Sequence, residues 1–95
     1  MAETSSNRIV ITVLGKNRPG IVAGISRVLG DAAVDIRDIT QSIVDDIFTM
    51  TMIADIADAE LDFSELQERL AETGAQIGVD VKVQREDVFN FMYRL

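Results

Sequence analysis

The sequence predicts an α+β fold of order β-α-β-β-α-β: a four-stranded antiparallel sheet with two helices on one face and a short helix at the end of the chain. Three observations carry this. Apolar residues recur at period 2 in four segments and at helical spacing in the segments between and after them. Glycine, proline or paired aspartates stand at the junctions. The segments apolar on both parities are the first and third strands, the two that this split βαβ, or ferredoxin-like, order makes central.

Each element can be read in turn. In Arg8 to Leu14, Ile9, Ile11 and Val13 share one parity and Val10 and Leu14 the other, as in a strand buried on both faces. Gly15 to Gly20 reads as a loop. Pro19 has a φ suited to a first helical turn, so Asn17 or Arg18 stands near the N-cap, and asparagine is the better cap. Ile21, Ile25, Val28 and Leu29 form one helical face, and Gly30 stands where a left-handed cap would end it. Gly24 inside this helix implies close packing on the sheet. Val34 to Val44 is a strand with a fault. Val34 and Ile36 share one parity and Ile39, Gln41 and Ile43 the other, so a bulge is expected at Arg37-Asp38.

Asp45-Asp46 is a turn, and Ile47 to Ile56 is the third strand. Asp62 with Glu65 three residues on forms a capping box. Phe63, Leu66 and Leu70 give the second helix its buried stripe, and Gly74 is expected to stop it. In the fourth strand Ile77, Val79, Val81 and Val83 point inward, and Gly78, Asp80, Lys82 and Gln84 outward. Val88, Phe91, Met92 and Leu95 give the tail helical spacing, with Glu86 and Asp87 at its positive end. The organisation is a loose polar tail at residues 1–7, a domain over 8–85 and a terminal helix over 86–95. With both helices on one face, the other face is expected to be apolar and covered by the tail helix or a second subunit.

Composition narrows the function. At 95 residues the chain is one domain, and a domain this size buries only about 60–65% of its unfolded surface. The core is thin, and a mean hydropathy of +0.17 fits apolar surface buried against another copy. A net charge of −7 and a pI near 4.3 repel nucleic-acid backbones and anionic membranes. The sequence has neither cysteine nor histidine. That removes thiolate metal sites, a metal-chaperone role, the commonest general base and the commonest metal ligand. The acidic residues Asp45, Asp46, Asp55, Asp58, Glu60 and Asp62 match no calcium loop and read as a solvated face. Phe48, Met50 and Met52 form a core or dimer stripe, without the basic context of an RNA-reading sheet. No cofactor or metal is expected. With no apolar span and no signal-peptide pattern, a cytoplasmic location is expected.

Chemistry concentrates in Gly15-Lys16-Asn17-Arg18-Pro19-Gly20-Ile21-Val22, which joins a buried strand to a helix start. Free backbone N–H groups there favour a carboxylate or phosphate, and Gly15 and Gly20 let a ligand approach the backbone. The same residues also suit a capped turn that needs glycine for geometry alone. Lys16 and Arg18 are solvated or steer an anion to the loop.

This string, with Val34-Asp35-Ile36 beginning the second strand, resembles the signature of the ACT-domain family. The likeness runs from Arg8 to Gln84. Val13-Leu14-Gly15-Lys16-Asn17, Gly20 to Ile25 and Asp38-Ile39-Thr40-Gln41 resemble small stand-alone members in particular. The resemblance implies a regulatory domain, not an enzyme, that holds an amino acid at a homodimer interface. The site would lie between the loop after the first strand and the start of the second, with Gly15 to Ile21, Asp35 and Ile36 as its residues. Asn17 matches the loop Asn/Asp and Asp35 the Asn/Asp of the second strand. Serine-sensing members carry His and Asn where this chain has Gly15 and Asp35, so serine does not follow. Asp35 reads as a partner for an α-amino group or as a solvated edge residue. The α-carboxylate would lie on the amides around Gly20.

Three functions fit the sequence: a ligand-sensing homodimer, an interaction module that docks a protein partner, and a small hydrolase similar to the acylphosphatases. The last needs an arginine cradle and an asparagine. Arg18 and Asn17 are at hand, but Pro19 removes a cradle donor and the glycine-rich arginine loop of that family does not match.

Overall fold

The computed structural model describes residues 7–93. The elements are β1 (Arg8–Lys16), α1 (Ile21–Asp31), β2 (Asp35–Val44), β3 (Ile47–Asp55), α2 (Phe63–Ile77), β4 (Val79–Arg85) and α3 (Glu86–Tyr93). The sheet order is β2-β3-β1-β4, every neighbouring pair antiparallel, so the two doubly apolar strands are central as expected. Of the expected polar tail, residues 1–6 lie outside the described residues. Asn7 accepts a hydrogen bond from the Ile56 N–H at 2.8 Å. Leu95 and the side chains of Phe91 and Met92 also lie outside the described residues.

The core sits between the sheet and the first two helices. Ile9, Ile11 and Val13 of β1 and Phe48, Met50, Met52 and Ala54 of β3 meet Ile21, Ile25 and Leu29 of α1 and Leu66 and Leu70 of α2. The expected bulge is present: Ile36 pairs with Ala54 and Asp38 with Ile53, leaving Arg37 as the extra residue. Asp45 and Asp46 take φ of 49° and 70°, the left-handed pair that a two-residue hairpin turn needs and that aspartate tolerates. The Asp62 capping box is complete, with the Glu65 N–H donating to Oδ1 at 2.8 Å and Oε1 accepting from the Asp62 N–H at 3.2 Å.

The helix ends differ from the sequence reading. The N-cap of α1 is Gly20, at φ 90°, and neither Asn17 nor Arg18; Pro19 precedes the helix. Gly30 lies inside α1, and the left-handed residue that turns the chain is Ala33, at φ 59°. Helix α2 runs through Gly74 to Ile77 and ends on Gly78, so Ile77 is helical. Gly74 serves packing instead, since a Cβ there would stand 2.5 Å from Val81 Cγ2 and 2.9 Å from the Val79 carbonyl. Gly24 faces Ile77 of α2, not the sheet. Sequence marks where a Cβ is missing, while only the fold shows what approaches it.

The face away from α1 and α2 is also not the apolar surface expected. Its ranks run Asp38-Ile53-Val10-Gln84, Thr40-Thr51-Thr12-Lys82 and Ser42-Thr49-Leu14-Asp80 across β2, β3, β1 and β4. Hydroxyls occupy its middle. Helix α3 folds back against β1 and β4, where Val10 is buried. No helix among the described residues is long and apolar enough to cross a membrane.

Two substitutions should stabilise the fold. Gly30→Ala meets nothing within 4 Å in a helical position, and Ala33→Gly relieves a left-handed alanine. Each is expected to add about 0.5–1 kcal/mol, and 1 kcal/mol is worth about 4–8 °C in Tm for a domain of this size. Gly74→Ala should lose roughly 1–3 kcal/mol by overpacking β4. Thermal melts of the three variants check all of this.

Candidate functional site

The loop after β1 is shorter than the sequence suggests. Gly15 and Lys16 belong to β1, with Gly15 paired to Phe48 on one side and Val79 on the other. A Cβ at Gly15 would stand 2.8 Å from Val79 Cγ1, so glycine is required here by the approach of β4. The loop proper is Asn17 to Gly20. Its start is fixed by the Asn17 N–H, which donates to the Asp46 carbonyl at 2.6 Å and ties the loop to the β2–β3 turn. Its end is set by Gly20, whose φ a side chain would strain.

Helix α1 therefore begins without a side-chain cap and without an acid in its first turn. The N–H groups of its first turn have no carbonyl to meet within the helix. They form an amide-lined, electropositive end suited to an anion. Ile21 lends its N–H to this end, while its side chain is 2% exposed and belongs to the core. Lys16 precedes the loop and Arg18 lies within it. The Arg18 guanidinium lies over Gly78, 3.2 Å from where a Cβ would be, at the carbonyl end of α2. A cation there complements the negative end of that helix.

Asp35 and Ile36 are elsewhere. Asp35 pairs with Asp55, which pairs with Arg8, whereas Lys16 pairs with Ile47, which pairs with Val44, at the opposite end of the same strands. Since β1 and β2 both run antiparallel to β3, they are parallel to each other. The start of β2 is thus at the far end of the sheet from the end of β1, roughly 25 Å away at about 3.3 Å per residue. One chain brings Gly15 to Ile21 together and does not bring Asp35 and Ile36 to them.

Sequence reading missed two residues here. Arg37, thrown out of register by the bulge, donates from Nη1 to Asp35 Oδ2 at 3.1 Å. Asp46 supplies the carbonyl that anchors the loop. The parity break that foretold the bulge was the available signal for Arg37.

All ten residues of β2 are exposed. Ile36, Ile39 and Ile43 pair with Ala54, Met52 and Phe48, so they stand on the helix side of the sheet, beyond the cover of α1. The β4 edge differs. Helix α2 packs along it, and Gln67 Nε2 donates to the Val83 carbonyl at 3.2 Å.

A two-layer βαββαβ module, with an amide-lined loop at one end and an open apolar edge strand, is therefore the class of protein that this chain defines. A family model for the ACT domain matches residues 7–84, and the chain belongs to the ACT-domain family. It is 46% identical over 89 residues to a UPF0237 protein of Methanocaldococcus jannaschii, covering 94% of this chain and 99% of that one. Among solved structures it resembles an ACT domain protein from Streptococcus pneumoniae, with a TM-score of 0.77 and 32% identity over 94% of this chain and all of that one. A formyltetrahydrofolate deformylase from Pseudomonas putida shares the fold over 84% of this chain and 29% of its own length, with a TM-score of 0.75 at 15% identity.

Arg18→Ala should leave the fold intact and lower stability by about 0.3–1 kcal/mol, with the loss shrinking at high salt as a helix-end charge effect does. Urea unfolding at two ionic strengths reads this directly. A loss that salt does not alter would mean that Arg18 acts by packing its stem.

Proposed function

We propose that this chain is a regulatory module that binds an amino acid or related small carboxylate at a homodimer interface. Membership of the ACT-domain family supports regulation by small-molecule binding. The observation that carries the interface is the separation of the two halves of the site. The loop and Asp35 lie at opposite ends of parallel strands, so a site that uses both takes the loop from one chain and Asp35 from another.

A two-fold axis through the β2 edge supplies this arrangement. It sets β2 antiparallel to its copy and carries the partner's Asp35 to the end of the sheet where the loop and the start of α1 lie. It keeps the helices of both copies on one side, where Ile36, Ile39 and Ile43 become covered. The ligand's carboxylate then meets the amides around Gly20, and its ammonium meets Asp35. The protein works by binding, as a ligand shared by two chains stabilises the pair by its own binding free energy. A second reading, a module that docks another protein, rests on Leu14, Val44 and Ile47. These are half or more exposed and cluster where the hairpin turn meets the end of β1.

Light scattering at micromolar concentration is expected to give a dimer, and Ile39→Asp to give a monomer. In a thermal-shift screen of amino acids and small carboxylates, a ligand at 100 times its Kd should add about 2.7 kcal/mol. Asp35→Ala should weaken that ligand tenfold or more while leaving the melt without ligand unchanged, since an ammonium–carboxylate bond is worth about 1.5–3 kcal/mol. A flat screen on an intact dimer would move the function to the protein-docking reading. A wild-type monomer would remove the shared site.

A further inference from the structure

Only one register pairs the whole unbroken run of the β2 edge, Asp38 to Val44, with its own copy. A two-fold axis normal to the sheet pairs residues whose numbers add to a constant, and with the helices on one side that constant must be even. Centred on Gln41, the strand sets Ile39 against the partner's Ile43, Thr40 against the partner's Ser42, and Gln41 against itself. Centred on Thr40 or on Ser42, each pairs an isoleucine with Gln41 and leaves the other isoleucine without an apolar partner.

The same register has a charge consequence. It lays the Arg37 bulge across from the partner's Asp45-Asp46 turn. Among the described residues neither of those aspartates makes an ion pair, and both hold left-handed backbone at the tip of the hairpin. Arg37 is the one residue of β2 without a place in the β3 ladder, its side chain is 48% exposed, and its partner in its own chain is Asp35.

We propose that in this homodimer the two β2 edges pair about Gln41, with Arg37 locking the register by pairing with the partner's Asp45. This rests on the homodimer reading above and adds to it the register and the residue that sets it. A shift by one step in either direction moves Arg37 away from that turn. In the dimer Arg37 leaves Asp35 for the partner's turn, and the Asp35 carboxylate is free for an ammonium group. Assembly and ligand binding then depend on one guanidinium.

The natural chain has no cysteine, so single cysteines placed on β2 report the register directly. Opposed residues in an antiparallel pair are about 4.5–5.5 Å apart at Cα, within the roughly 4.4–6.8 Å that a disulfide spans. Under mild oxidation Gln41→Cys is expected to cross-link to itself fastest, and Thr40→Cys to cross-link with Ser42→Cys in a mixture better than either does alone. Arg37→Glu and Asp45→Arg should each weaken the dimer about tenfold or more, since each reversal acts twice per dimer. The double variant should recover most of that loss. Self-cross-linking that peaks at Thr40→Cys or Ser42→Cys overturns the register. Charge reversals without effect on a dimer that Ile39→Asp still breaks overturn the Arg37 lock and leave the edge dimer standing. Indifference to Ile39→Asp and to every cysteine overturns the edge dimer itself.

Discussion

Strand β3 is the constraint on which the molecule depends. It lies antiparallel to β1 and to β2 at once, and so fixes those two strands parallel to each other. Everything at the ends of the sheet follows from that relation. Helix α1 must travel back along the sheet between them. The loop that starts α1 is therefore at one end, and the residues that follow α1 enter the sheet at the other. Asn17 is tied to the β2–β3 turn by the Asp46 carbonyl, which places an amide-lined helix start beside a hairpin tip. No local change of side chain could bring Asp35 to that loop within one chain.

Cover is uneven across the sheet for the same reason. The two core-forming helices pack against each other and over the middle of the sheet, and α2 lies along β4 closely enough that Gly74 can have no side chain. Strand β2 receives little of this cover. Its inner residues, Ile36, Ile39 and Ile43, would be ordinary core residues under one more helix; here they meet water. An open edge strand with branched apolar side chains is a template for pairing with another chain. A bulge and two charged residues, Arg37 and Asp38, interrupt its first half. The interruption limits which pairings fit, because the longest unbroken run of ladder is the seven residues from Asp38 to Val44.

Much of this was legible in residue order. Parity located the central strands and the bulge, the paired aspartates located the hairpin, and Asp62 with Glu65 located the start of α2. Helix ends were less legible. A glycine in a helical segment reads as a cap when nothing else is known, as Gly30 and Gly74 do. One has no neighbour to exclude a Cβ and the other has Val81. The left-handed turn after α1 falls instead on Ala33, which composition could not single out, since alanine there is held by the Ala33 N–H to Gly30 carbonyl and Val34 N–H to Leu29 carbonyl bonds. The hydroxyl face was misjudged from its flanks: Val10, Leu14, Ile47 and Ile53 are apolar, but Thr12, Thr49 and Thr51 stand between them. The split of the candidate site was legible in principle. The element order alone makes β1 and β2 parallel, and a motif written along the chain conceals that its two parts sit at opposite ends.

A site divided between two chains has a consequence that a site within one chain does not. Its affinity depends on protein concentration, because the ligand binds only where two copies meet, and the ligand in turn raises the fraction of chains that are paired. The thin core makes this coupling stronger. In the proposed dimer, closing the β2 edge would bury apolar side chains that folding alone leaves exposed, so assembly and folding stability would not be separate quantities. An Arg37 shared between Asp35 of its own chain and the turn of another would make the free carboxylate at Asp35 a product of assembly. The ligand's ammonium group would then find its partner only in the paired state, which is the differential affinity that a ligand needs in order to shift an equilibrium.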